Sequence, residues 1–278
     1  MVDSSRIADA VHGAVLAAAT TLRPDVLEAL SRAAATEPSP RGKVALLQLA
    51  ENACIASEDG VPLCQDTGTV WVRVELGCDE RLGGDLQAEV DAAVAAAFRE
   101  GALRMSIVRD ALFDRSNTGD NTPALVELAL RPGTGARVDV LLKGGGSDNA
   151  STVTMLDPSA GGEGVRDAVL ATVRAKAASA CPPLLVGVGV GSTFDRVASL
   201  AKHALLRPIG AAVDPETAEF ERMLLESVNA TGIGPGGLGG RTTALAVHVE
   251  SAPCHIACLP VAVNMGCCAV RSATVELT

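Results

Sequence analysis

Cys64-Gln65-Asp66-Thr67-Gly68 puts a thiol, an amide and a carboxylate on one short loop between a helix-like segment and a strand-like one. A thiolate ligates metal and a carboxylate moves protons, so this loop is where chemistry is expected first. Two glycine-rich loops share its character, Lys143-Gly144-Gly145-Gly146-Ser147-Asp148-Asn149 and the stretch from Gly232 to Gly240. A polar loop, Asn117-Thr118-Gly119-Asp120-Asn121, makes a fourth, more than chain turns alone require.

Eight cysteines, at 54, 64, 78, 181, 254, 258, 267 and 268, occur without a secretion signal, which favours metal ligation or burial over a disulfide framework. Cys54 falls among the apolar helix positions Leu46, Leu49 and Ala50 and reads as a core residue. Cys64 and Cys181 lie beside proline or glycine, outside any periodicity, where a small hydrophobe has little purpose. Gly187-Val188-Gly189-Val190-Gly191 departs from the G-x-G-x-x-G dinucleotide spacing, and Gly240-Arg241-Thr242 replaces the Gly-Lys-Thr ending of a phosphate loop. A zinc site of Cys254, Cys258, Cys267 and Cys268 meets no usual spacing, because adjacent cysteines chelate a tetrahedral ion poorly.

Taken together, the loops suit a different arrangement. Three thiolates from distant loops can hold three irons of a 4Fe-4S cluster and leave the fourth open as a Lewis acid. Removing water from a 2-hydroxy acid needs help for a poor leaving group and for a weakly acidic carbon-bound proton, which an open iron and proton-handling side chains provide. Arginine clamps the substrate carboxylates.

The elements that must position these loops can be read from periodicity. Residues 5 to 57 read as three helices broken at Pro24 and Pro40, with Ile7, Val11, Ala14 and Val15 as one apolar stripe. From 69 to 76 the period becomes two, giving a half-buried strand, and a helix follows at roughly 83 to 101. Strands at 125 to 131 and 136 to 142, separated by Pro132-Gly133-Thr134-Gly135, read as a hairpin running into the triple glycine. Helices follow at 162 to 178, 194 to 206 and 215 to 229, and the last fifty residues are strands. The expected fold class is α+β, a helical N-terminal layer packed on mixed and antiparallel sheets, in one domain over residues 1–278.

Composition narrows the partners. Twenty-three basic residues stand against 33 acidic ones, and Phe, Trp and Tyr together number five, so nucleic acid is not expected as a partner. The amino terminus has no leader pattern and no segment approaches bilayer length, so a cytoplasmic protein without membrane contact is expected.

The ordered motifs at Cys64–Gly68, Asn117–Asn121, Lys143–Ser147, Ala180-Cys181-Pro182-Pro183 and Gly232–Gly240 resemble the oxygen-sensitive iron-sulfur hydro-lyases, the class I fumarases and L-tartrate dehydratases, from about residue 40 onward. The resemblance implies cluster ligation by Cys64, Cys181 and a cysteine near the carboxyl terminus. Pro260-Val261-Ala262-Val263-Asn264-Met265-Gly266-Cys267 is similar to the family's terminal segment and points to Cys267, with Cys268, Cys254 and Cys258 as competing candidates. It further implies that Gln65 and Asp66 face the substrate, that Arg104 binds a carboxylate, and that the Gly145-Gly146 backbone lies close to it. His255 matches a family histidine near the active centre, although a lone histidine among strands is as readily a satisfied core residue. His248 reads as structural.

Single-chain members of that family carry a second, swivelling domain supplying a threonine and further cationic contacts, whereas this chain stops at Thr278. The resemblance therefore implies an α subunit completed by a β subunit in an α2β2 assembly, acting on a small dicarboxylate, fumarate/malate first, with L-tartrate or another hydroxy diacid as the alternative. The alternative from another class is a non-catalytic paralogue that binds a metabolite or partner.

Overall fold

The computed structural model describes residues 1–211 and 213–278. In chain order come β1 (Val2–Asp3), α1 (Ser4–Thr20), α2 (Pro24–Thr36), α3 (Pro40–Asp59), β2 (Thr69–Gly77), β3 (Leu82–Gly83), α4 (Leu86–Glu100), β4 (Leu125–Arg131) and β5 (Ala136–Lys143). Then follow α5 (Gly145–Asn149), β6 (Thr152–Leu156), α6 (Gly161–Lys176), β7 (Leu184–Gly191), α7 (Val197–Ala204), α8 (Pro215–Asn229), β8 (Ala244–Ala252), β9 (Leu259–Gly266) and β10 (Arg271–Leu277). The α+β class holds, and the chain divides into two compact units.

The first unit comprises Met1–Arg23, Asn52–Gly145 and Arg271–Thr278. Its four-stranded sheet has the order β10-β5-β2-β4. Val70, Val72 and Val74 of β2 and Val138 and Val140 of β5 point into a core closed by Ile7, Val11 and Val15 of α1 and Val90, Val94 and Phe98 of α4. Both helices start on an aspartate cap: Asp3 accepts the Ser5 N–H at 3.0 Å, and Asp85 accepts the Ala88 N–H at 3.1 Å.

The hairpin expected from the Pro132–Gly135 turn does not form. β2 lies between β4 and β5, parallel to the first and antiparallel to the second. Burial explains the difference: β2 is largely buried on both faces, whereas β4 keeps Leu125, Leu128 and Leu130 exposed, so β2 takes the inner place and β4 the edge.

The second unit comprises Pro24–Glu51 and Gly146–Val270, with a sheet ordered β6-β9-β7-β8. Val169 and Val173 of α6 and Leu224 and Val228 of α8 pack against Val186, Val188, Val247 and Val263 of the strands. The Gly187–Gly191 stretch, set apart above as a weak dinucleotide pattern, lies inside β7. A Cβ on Gly187 would stand 2.1 Å from the Ala201 carbonyl oxygen, and one on Gly189 2.4 Å from that of Val197, so these glycines let α7 lie directly on the strand.

Cys54 corrects an expectation: it is exposed. The buried face of α3 runs through Leu46, Ala53 and Ala56, and Cys54 sits one position, about 100°, off that stripe.

Candidate functional site

The site is built on the loop that leaves α3 and enters β2. The Leu63 N–H donates to the Ala19 carbonyl at 2.8 Å, and Asn52 Nδ2 donates to the Leu63 carbonyl at 3.0 Å, which fixes where Cys64 begins. At the other end Gly68 has φ of +79°, and a Cβ there would meet the Lys143 carbonyl oxygen at 2.4 Å, so only glycine brings the loop this close to β5.

Asn121 fastens this loop to the neighbouring one. It is fully buried, with φ of +62°, a left-handed conformation that asparagine tolerates better than most residues. Its Nδ2 donates to the Gly68 carbonyl at 3.1 Å while its Oδ1 accepts the Ser106 N–H at 2.7 Å. The buried Thr67 hydroxyl donates to the Arg104 carbonyl, a second tie between the same two segments. Nearby, the Thr122 hydroxyl and N–H donate to Asp120 and hold its carboxyl below the usual aspartate range.

These ties frame an open cavity of about 320 Å³ lined by Gln65, Asp66, Gly68, Thr69, Arg104, Met105, Ser106, Asn117, Lys143 and Gly145. That volume is at the small end of ligand sites. Within it the Arg104 guanidinium donates to Gln65 Oε1 at 2.6 Å, and the Gly145 N–H donates to Asp66 Oδ2 at 2.8 Å. Arg104 and Lys143 bring two cations to the lining against the single carboxylate of Asp66, in a chain of net charge −10. Such a local reversal of sign concentrates small anions.

The structure thus gathers Gln65, Asp66, Arg104 and Gly145 in one cavity. Sequence reasoning left Asn121, Lys143 and Arg271 without roles. Asn121 and Lys143 belong to loops singled out for their composition, whereas Arg271, a single arginine at the head of the last strand, carried no signal.

Cys64 stands in the first unit outside the cavity lining, whereas Gly146, Cys181, Cys267 and His255 belong to the second unit. Cys181 is exposed and has φ of +55°, an uncommon conformation for a residue with a side chain. The Cys268 N–H donates to the Cys181 carbonyl at 3.0 Å, so the turn carrying Cys267 and Cys268 lies beside the Cys181 loop. The Gly236 N–H donates to the Pro182 carbonyl at 2.8 Å, bringing the third glycine-rich loop to the same place. Glu37 clasps that loop from below: it is 6% exposed and accepts N–H groups of Arg241 at 2.9 Å, Thr242 at 2.8 Å and Ser39 at 3.1 Å. Burial pushes the Glu37 carboxyl up, but the hydrogen bonds from Arg241, Thr242 and Ser39 outweigh it and leave the group below the usual glutamate range.

His255 and Cys254 lie on the exposed connection between β8 and β9, where the Cys254 thiol donates to the Cys258 carbonyl at 3.2 Å and His255 Nδ1 accepts the Ala257 N–H at 3.1 Å. His248 is buried with Nδ1 3.0 Å from the Ala204 carbonyl oxygen, consistent with a structural residue.

All eight cysteines are thiols rather than disulfides. Among the described residues no three His, Cys, Asp or Glu side chains stand close enough to share a metal ion. The donor chemistry nevertheless fits an iron-sulfur group, because Cys64, Cys181 and Cys267 are each at least partly exposed soft ligands on loops.

A small cationic pocket with an ordered carboxylate, on a fold that also presents thiols on glycine-flanked loops, is equipment for adding or removing water at an anionic substrate. The family model for fumarate hydratase (Fumerase) matches residues 8–276, so the chain belongs to this family of metal-dependent hydro-lyases. It is 38% identical to a putative L(+)-tartrate dehydratase subunit alpha of Methanocaldococcus jannaschii over 275 residues, 96% of each chain. It is 36% identical to the L(+)-tartrate dehydratase subunit alpha of Escherichia coli K12, over 92% of this chain and 85% of that one.

Proposed function

We propose that the chain is the α subunit of a two-subunit 4Fe-4S hydro-lyase that reversibly hydrates or dehydrates a four-carbon dicarboxylate. The observation that carries this is the cavity in which Asp66, Gln65, Arg104, Lys143 and the Gly145 N–H converge, in a chain of this family. Fumarate/malate is the leading pair. L-tartrate is the second reading, favoured by the names of the relatives.

Each side chain has a task in this reading. Arg104 binds one substrate carboxylate through its planar fork, oriented beforehand by Gln65. Lys143 adds positive charge to the same lining. Asp66, held by the Gly145 N–H on Oδ2, has Oδ1 to exchange a proton with the substrate. The Gly145-Gly146 backbone offers further donors at the head of α5. Cys64, Cys181 and Cys267 are the proposed cluster ligands, and the cluster when bound supplies a Lewis acid for the departing hydroxyl. His255 is proposed as a second acid-base group, on the exposed β8–β9 connection. The whole chain, residues 1–278, is proposed as the catalytic α subunit, completed by a β subunit in an α2β2 assembly in the cytoplasm.

The test is turnover of malate and of L-tartrate under strict anaerobiosis, by the isolated chain and by the chain co-expressed with its β subunit. The expected result is little or no activity alone and robust dehydration with the partner. Robust turnover by the isolated chain contradicts the subunit assignment, and none in either form with either diacid contradicts the reaction.

A further inference from the structure

Arg271 opens β10 and is 1% exposed, among the largest side chains the protein buries completely. A guanidinium is among the costliest groups to bury without a counter-charge, and buried arginines are ordinarily paired with a carboxylate. Among the described residues the side chain makes one hydrogen bond, from Nη1 to the main-chain carbonyl of Asp66 at 2.6 Å, and Nε has no acceptor. Ladder pairing with Leu142 sets it beside the end of β5, where the Lys143–Gly145 backbone begins its turn. A Cβ on Gly144 would stand 3.1 Å from Asp66 Oδ2 and 3.4 Å from Arg271 Nη2, so carboxylate and guanidinium approach the same bare backbone.

Core packing does not explain this residue, because an aliphatic side chain would fill the start of a strand without the desolvation cost. Its one bond goes instead to the residue whose carboxylate lines the cavity, and Arg271 is absent from that lining. We propose that Arg271 is a positioning residue of the dicarboxylate site: it fixes the Asp66 main chain, and its buried charge, without a direct ion pair among the described residues, favours an anion in the adjoining cavity. The ligand half of this inference rests on the dicarboxylate reading above; the positioning half does not.

The test compares Arg271→Met and Arg271→Lys with Thr274→Ala, which removes the hydrogen bond of Thr274 to Asp139 in the same strand, outside the cavity. Hydrogen–deuterium exchange on the full chain reads the loops directly. The expected result is exchange about tenfold faster over residues 64–68 and 144–146 in Arg271→Met, with residues 136–142 unchanged and Thr274→Ala like wild type at both loops. Succinate, a saturated dicarboxylate that cannot be dehydrated, then probes binding by calorimetry on the chain with its partner subunit. Its affinity is expected to fall about tenfold in Arg271→Met and to recover in part in Arg271→Lys, which restores the charge but not the fork. Loops that exchange as in wild type, or exchange that rises equally in 136–142, overturn the positioning role. Succinate binding unchanged in Arg271→Met overturns the electrostatic role. If wild type binds no succinate while the loops respond as expected, the dicarboxylate reading falls and the positioning role stands.

Discussion

Arg104 reaches the cavity with its guanidinium already engaged by Gln65 Oε1 at 2.6 Å; in the proposed reading this orients it toward a carboxylate before substrate arrives. Lysine keeps the charge but loses the planar fork and this alignment. Arg104→Lys is therefore expected to raise KM for the dicarboxylate about tenfold or more, with a smaller change in kcat, as steady-state kinetics on the assembled enzyme would show. An equal loss in kcat and kcat/KM, with KM unchanged, would place the Arg104 interaction in the transition state instead. At this scale the sequence was informative where chemistry-bearing residues stood together, as in Cys64-Gln65-Asp66. It was silent on Arg271, because what distinguishes that residue is burial beside a loop 205 positions away, and nothing local records such a partner.

The elements carry predictions of their own, and glycine placement is the clearest. Gly187→Ala drives a methyl to within 2.1 Å of the Ala201 carbonyl oxygen and forces α7 off β7. A loss of about 1–3 kcal/mol is expected in a denaturant titration. Glu37 makes stability depend on pH. Its folded-state value lies below the unfolded one, so its contribution is present above the ordinary glutamate range and is lost as pH falls through the folded value. Urea titrations between neutral and acidic pH should show the wild-type advantage over Glu37→Gln shrinking as pH drops below about 4.3, the ordinary glutamate value. An advantage that stays constant to the acid limit would mean that it does not come from the ionised carboxylate, and no advantage at neutral pH would mean that the amide replaces the carboxylate on the Arg241 and Thr242 N–H groups.

Element positions were the most legible part of the fold. Pro24 and Pro40 separate α1, α2 and α3 as expected, and the period-two pattern gave β2 within a residue or two. Partnership was harder to read. The Pro132–Gly135 turn suggested that β4 and β5 pair, whereas both pair with β2, because a strand buried on two faces competes better for the middle of a sheet than a local turn does for a hairpin. Cys54 shows the same limit in a helix, where a shift of one position separates the buried stripe from solvent. β6 had no legible signature, being a short edge strand whose Val153 and Met155 remain exposed.

At the scale of the whole molecule, family membership covers residues 8–276, and relatives named as alpha subunits match nearly the full chain. No helix among the described residues is long and apolar enough to cross a membrane. The chain carries a net charge of −10, yet the cavity gathers Arg104 and Lys143, a division that would suit the proposed dicarboxylate. The proposed iron-sulfur centre is checked by iron and acid-labile sulfide content after strictly anaerobic reconstitution. Wild type would be measured beside Cys64→Ser, Cys181→Ser, Cys267→Ser and Cys268→Ser, with absorbance and electron spin resonance on each. A 4Fe-4S cluster is expected in wild type and Cys268→Ser and its loss in the other three; zinc without sulfide, or no cluster in wild type, would rule the iron-sulfur centre out.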